Sequence, residues 1–493
     1  MRLLLIFLTL VPIIKAQQVN IGNGVPFNIQ SGPENDLYIK GDTSGFFMIN
    51  SKNSFKQGEC HLVKIAYKGL IPLYDTELHY GDNWNVTLLS AVYVAPKLFL
   101  YLEVKESSNK KVVLIRKEYD GNEGKDLNIE SRLDSLSSEN QIGYRVWKIA
   151  QSKTEKTLYT IKQLNENNLF ENRIAAYLNE TGEKKWEYTE IDSSRSLIRQ
   201  FIGDDKGRLY ALYKNKAGYF GVKSMTGDKA NDRTRLLPVN KISIFEPALE
   251  ILNGKLYCSG EFMPGIGMNK EMNETPANGF FLLRMETTSL EIKDSCYDDL
   301  NQRLQNKLNY KYKNKQIGIE GEKNTACGAK NYLHYGMFSF KGAVYAVKYH
   351  ANLKSGKVVS RNEIIILKYN HGKPEWMQII PGNNTVASKM GFEFIFTDKM
   401  HLFYFDHKDN LIHYPEIGFY SPKKYKAVAD NAAILVRVGI DERGSMERDN
   451  IFTYVEWQQH IYSDIKKLNE EKNVIIGSDD GRKRRFDKLS LVD

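Results

Sequence analysis

Glu363–Gly382, EIIILKYNHGKPEWMQIIPG, opens on an apolar run, Ile364-Ile365-Ile366-Leu367, and closes it on a polar, glycine-bearing turn, Tyr369-Asn370-His371-Gly372. A short run of β-branched and aromatic residues bounded by Gly, Asn and Asp is one arm of an antiparallel hairpin. The same signature stands at Val112-Val113-Leu114-Ile115, which leads to Tyr119-Asp120-Gly121. Ahead of each lies a second recurring element, a polar or glycine turn followed by an apolar residue and then an aromatic. It reads Lys341-Gly342-Ala343-Val344-Tyr345 before the first and Pro96-Lys97-Leu98-Phe99 before the second.

That marker occurs five more times, as Asp42-Thr43-Ser44-Gly45-Phe46-Phe47, Glu155-Lys156-Thr157-Leu158-Tyr159, Asp205-Lys206-Gly207-Arg208-Leu209-Tyr210, Asn253-Gly254-Lys255-Leu256-Tyr257 and Asp398-Lys399-Met400-His401-Leu402-Phe403. Its apolar position falls at 46, 98, 158, 209, 256, 344 and 402, in steps of 52, 60, 51, 47, 88 and 58 residues. A unit of ~40 to 50 residues with four short strands is the size of a propeller blade. One blade has two apolar faces and exposed edges, and a ring of blades hides both faces at once. The spacing therefore predicts an all-β chain, a single β-propeller of about seven four-stranded blades over residues 17–450. The 88-residue step leaves room for a degenerate blade, and a stack of sandwiches is the alternative architecture.

Glu363–Gly382 resembles the beta-propeller repeat family abbreviated SBBP, found in exported bacterial proteins, in which an alternating strand runs into Lys-Tyr-Asp-x-x-Gly and a tryptophan follows. Cys60–Gly69 (CHLVKIAYKG) and Arg173–Trp186 (RIAAYLNETGEKKW) are similar, whereas Gly279–Ile292 departs from the pattern, with Thr287 and Thr288 in place of the glycine turn. The resemblance implies a propeller fold and an exported bacterial origin, and it attaches no catalytic residue.

Export is also read from the first sixteen residues: Arg2, the apolar run Leu3–Ile14, and the small Ala16 have the layout of a secretory signal peptide cleaved after Ala16. Twelve apolar residues fall short of the ~20 that span a bilayer. The expected location is secreted, periplasmic or at the cell surface, with no transmembrane segment after cleavage and a monomeric mature chain. The net charge of +9, from 69 basic and 60 acidic residues, is spread along the chain, which describes a mixed solvated surface and no nucleic-acid partner. In an oxidising compartment Cys60, Cys258, Cys296 and Cys327 allow three pairings. Cys296–Cys327 is the expected disulfide, because the two are nearest in sequence and both fall where the repeat breaks.

That break is an insertion at 298–335. Between Asn301 and Lys330 it carries seven basic residues against Glu320 and Glu322, a net of +5. Arg303, Lys307, Tyr310, Lys311, Tyr312, Lys313 and Lys315 form its basic and aromatic core and are the candidate ligand contacts. They suit an acidic polymer, a glycan or an envelope protein, although a solvated loop has the same composition. A second excursion, Phe262 to Asn278, is rich in Met and Gly. Long connections in compact folds tend to be functional. Near the C-terminus, Trp457, Ile461, Ile465 and Leu468 recur at helical spacing and predict a helix within a separate 451–493 segment, followed by a basic tail, Arg482–Arg485.

The sequence contains no Gly-x-Ser-x-Gly elbow, phosphate-binding loop or His-Glu-x-x-His. His401, Asp406, His407, Asp409 and His413 are the densest polar cluster, but strand alternation sends them to different faces, so no metal is expected. The same alternation separates Asp204 from Asp205 and Asp298 from Asp299. Gly-x-x-x-Trp turns at Gly182–Trp186 and Gly372–Trp376 are the sole hint of a quinone-dependent dehydrogenase, and no cofactor is expected. Sequons stand at Asn85, Asn179, Asn273 and Asn383. The sequence favours a non-enzymatic exported binding or scaffold propeller; an enzyme acting on polysaccharide or glycoconjugate is the alternative.

Overall fold

The computed structural model describes residues 18–23, 27–28, 36–50, 60–80, 85–106, 111–137, 146–166, 169–192, 197–237, 242–264, 279–299, 332–354, 357–380, 384–385, 392–407, 433–453, 461–466, 473–479 and 483–492. They form a β-propeller. Seven blades, at 36–77, 85–137, 147–192, 197–236, 242–299, 332–380 and 392–453, are each built from four consecutive antiparallel strands paired in sequence order. The first strands of neighbouring blades lie against one another and line the axis. All seven sequence markers fall in second strands: Gly45–Asn50, Lys97–Glu106, Thr157–Glu166, Leu209–Lys214, Lys255–Pro264, Ala343–Lys354 and Met400–His407. The 88-residue step is taken up by excursions at 265–278 and 300–331, both outside the described residues.

An eighth sheet joins the chain ends. Gln18–Asn23 pairs with Lys483–Val492, which pairs with Asn473–Asp479 and through it Ile461–Lys466. The first of these pairings is antiparallel, from Gln18 opposite Val492 to Asn23 opposite Asp487. This corrects the expected C-terminal helix and tail. Ile461 and Ile465 lie in a strand, while Trp457 and Leu468 fall outside the described residues. A spacing of four is even, so it satisfies the two-residue period of a strand as well as a helix; an available partner strand decides between them. Of the basic run, Lys483, Arg484 and Arg485 are strand residues and Arg482 lies outside the described residues. The described strands at 461–466, 473–479 and 483–492 thus form a sheet with the first described residues. Among the described residues the helical content is a single 3-10 turn, Lys229–Asn231, and no helix is long and apolar enough to cross a membrane.

Each blade shares its two faces between two seams. In blade 2, Leu98, Leu100, Leu102 and Val104 pack against blade 1, and the alternate residues Phe99 and Tyr101 join the cluster shared with blade 3. Burying each of these side chains contributes about 1.5 to 3 kcal/mol. Blade 1 is covered on both sides too: Phe47 and Ile49 face blade 2, and Phe46, Met48 and Val63 form a separate buried cluster on the other face. A closed ring requires this.

Polar latches cross the seams near the turns. Lys64 Nζ of blade 1 donates to the Gly121 carbonyl of blade 2 at 3.1 Å. Arg116 Nε of blade 2 donates to the Asn179 carbonyl of blade 3 at 2.9 Å. Trp186 Nε1 of blade 3 reaches Gly207 of blade 4 at 3.2 Å, and Tyr210 of blade 4 reaches Thr287 of blade 5 at 3.2 Å. In blade 6, Lys368 Nζ and Trp376 Nε1 both donate to the Glu442 carbonyl of blade 7, at 2.8 and 2.9 Å. Each latch satisfies a turn carbonyl and a donor that burial would otherwise penalise. The tryptophan of the repeat is therefore a seam clamp, and a glycine accommodates it. Gly444 (φ +84°) lies under the Trp376 ring, where a Cβ would come within 3.0 Å, and Gly227 (φ +85°) lies against Trp186 at 2.5 Å.

His401 in blade 7 is fully buried, with Nε2 3.0 Å from Thr397 Oγ1. Burial, reinforced by the neighbouring Arg437, lowers its pKa from 6.5 to about 4. The folded state thus holds it neutral while the unfolded chain takes up a proton. Stability is full above about pH 6.5 and is lost as pH falls from there to about 4.

Two outcomes follow from this packing. Leu209 is wholly buried between blades 3 and 4, so Leu209→Asp should destabilise by roughly 3 to 5 kcal/mol; a variant that melts like the parent would put the strand out of register. Thermal melts between pH 7 and pH 4 should show acid destabilisation that is shallower in His401→Gln. Equal slopes in parent and variant would assign the acid sensitivity to other groups.

Candidate functional site

The pairing sorts the connections onto two faces of the ring. Turns between first and second strands and between third and fourth strands occupy one face, and the remaining connections leave from the other. Both long excursions belong to the second face and meet at blade 5. One follows Pro264 at the end of that blade's second strand; the other runs from Asp299, the end of its fourth strand, to Tyr332, the start of blade 6. The predicted contacts Arg303, Lys307, Tyr310, Lys311, Tyr312, Lys313 and Lys315 lie in the excursion that follows Asp299, outside the described residues.

Under these roots the seam between blades 5 and 6 holds charged side chains. Glu261, Phe280 and Asp298 stand side by side on adjacent strands, and Lys348 Nζ of blade 6 lies 5.3 Å from the Phe280 ring centre. Glu261, Asp298 and Lys348 are all buried. His334, opposite Lys348 in register, has Nδ1 3.4 Å from Ser259 Oγ and Nε2 3.8 Å from Glu250 Oε1. Burial lowers the His334 pKa, with Glu250 opposing and Lys348 reinforcing. A neutral imidazole between a hydroxyl and a carboxylate could relay a proton, but Ser259 is only 1% exposed, so a substrate does not reach it.

The cysteines divide between seams. Cys258 packs with blade 4, and burial pushes its thiol up to about 12, which makes it a poor nucleophile. Cys296 faces blade 6 from the other side of the same blade, so these two do not meet. Cys327 lies outside the described residues, and its bridge to Cys296 remains an expectation.

On the turn face, the strand ends around the axis enclose a cavity of about 490 Å³. Five blades contribute to it: Lys153 from blade 3, Ile202 from blade 4, Glu250 and Leu252 from blade 5, Phe338 from blade 6 and Phe396 from blade 7. Sequence reasoning missed this site because its residues are about a repeat apart and each looks locally like an ordinary strand end. A faint signal existed in the turn residues next to the markers, such as Asn253.

The remaining sequence candidates have structural duties. Asp204 accepts from the Lys206 and Arg208 amides and from Tyr210, while Asp205 accepts from Thr154 of blade 3. The side chains of Asp406 and His407, and all of Asp409 and His413, lie outside the described residues. Among the described residues no group of three or more His, Cys, Asp or Glu could hold a metal ion. Asn179 is fully buried, its amide bonded to Tyr101 and Gln151, so in the fold that sequon is closed to glycosylation.

No protein-family model and no curated protein matches the chain. Solved structures that resemble it include the Dos1 propeller, at 8% identity over 95% of each chain with a TM-score of 0.46. The WD40 domain of SCAP from fission yeast is 6% identical over 96% of this chain and 94% of its own, TM-score 0.41. The polysaccharide lyase Uly1 is 8% identical over 93% and 99%, TM-score 0.37. These likenesses are of fold alone.

Proposed function

We propose that the chain is an exported, non-enzymatic binding or scaffold propeller that engages an acidic polymer, such as an acidic glycan of the cell envelope, on the face opposite the tight turns. The carrying observation is that a segment of net charge +5 is rooted between blades 5 and 6, on the same face and beside the same blade as the second excursion. Rigid sheets hold both roots, so the positive charge is presented from a fixed place. The exported bacterial origin implied by the repeat resemblance belongs to this reading, and the burial of Ser259 supports binding over turnover.

Replacing Asn301–Ala326 with a short linker should leave melting nearly unchanged, because the four strands of each of the seven blades all lie outside it, and should abolish salt-sensitive retention on immobilised heparin as an acidic probe. A deletion variant retained like the parent would refute the site. New reducing ends released from an acidic glycan by the parent would replace binding with catalysis. The Cys296–Cys327 bridge, closing about 30 residues, should contribute roughly 3 to 4 kcal/mol of loop order. Non-reducing peptide mapping should recover the two cysteines linked; finding both alkylatable in the native secreted protein would remove the bridge.

A further inference from the structure

The cavity on the turn face is a second, independent candidate, at the ends of the first strands opposite those from which the basic segment is rooted. From its lining we infer that it binds a neutral saccharide of one or two rings. Its volume, about 490 Å³, lies within the ~300 to 1,000 Å³ of small-molecule sites. Among the described residues, two charged ones line it, Lys153 and Glu250, and their charges cancel. An anionic chain would meet the Glu250 carboxylate, a cation would meet Lys153, and a phosphate would find a single cation.

The uncharged lining is divided between apolar and polar parts in the way a sugar is. Phe338 and Phe396 stand with ring centres 5.5 Å apart, forming an aromatic wall for the C–H face of a pyranose. Across the same cavity the Asn253 amide donates to Ser339 Oγ at 2.9 Å, which leaves the amide oxygen to accept from a ligand. Glu250 is a strong acceptor and Lys153 a strong donor, so hydroxyl groups, which donate and accept at once, can satisfy both. Behind Glu250, His334 Nε2 lies 3.8 Å away, beyond hydrogen-bond distance. Because five blades supply the wall, the site is formed before the ligand arrives, and little ordering opposes binding.

The test uses saturation-transfer NMR and calorimetry on the full mature chain with glucose, galactose, mannose, N-acetylglucosamine, cellobiose, lactose and chitobiose, with glucuronic acid as the charged control. At least one neutral sugar should bind, and glucuronic acid should bind at least tenfold more weakly. Ser339→Trp, which fills the mouth, and Glu250→Gln, which keeps its shape, should each weaken binding tenfold or more while melting like the parent. The Asn301–Ala326 deletion should bind the sugar unchanged, which separates this site from the acidic-polymer site. Absence of transfer to every sugar at 10 mM, in the order of weak ligand affinities, would overturn the inference. So would equal binding by parent and Ser339→Trp, or a preference for glucuronic acid.

Discussion

A blade cannot be finished alone, because its central strands are apolar on both faces. Lys97–Glu106 shows why: its even-numbered residues Leu98 to Val104 belong to one seam, and Phe99 and Tyr101 belong to the next. Shifting that strand by one residue would exchange the two sets and misfit two neighbours at once. The register of every blade is thus held by the blades on either side, and the ring is the arrangement that leaves no face uncovered.

Closure gives the two chain ends a role. The strands Gln18–Asn23 and Phe27–Asn28 both pair with Lys483–Val492 in a sheet whose other strands come from the last part of the chain, so backbone hydrogen bonds join the first described residues to the last. The latches act on the same problem locally. Lys64, Arg116 and Lys368 carry charge into seams where desolvation opposes it, and in each case a turn carbonyl of the following blade receives the proton donor. Each of these cations is also paired with a carboxylate of its own blade, Asp42, Glu118 and Glu375, so the latch adds the neighbour's carbonyl to a charge already compensated within the blade.

The two faces offer different chemistry from a single framework. Tight turns on one side keep the strand ends close and leave a preformed, charge-balanced cavity at the axis. The other side carries the long connections, with a strongly basic segment rooted above a seam where Glu261, Asp298, Lys348 and His334 gather.

The sequence by itself determined the repeat, the strand type and the blade size, because a marker such as Leu98 or Leu402 is set by local alternation and turn chemistry. It also located the two excursions, since they interrupt an otherwise regular spacing. Three features were decided only in the tertiary structure. The segment around Ile461 became a strand, since a spacing of four suits helix and strand alike and Asn473–Asp479 pairs with it inside a sheet that Gln18–Asn23 borders on the opposite edge. Trp186 and Trp376 were visible as a motif, but their carbonyl partners lie in the next blade. The axial cavity draws Lys153, Glu250, Phe338 and Phe396 from four blades, and residues so far apart in sequence share a site only because the ring bends the chain back to its axis.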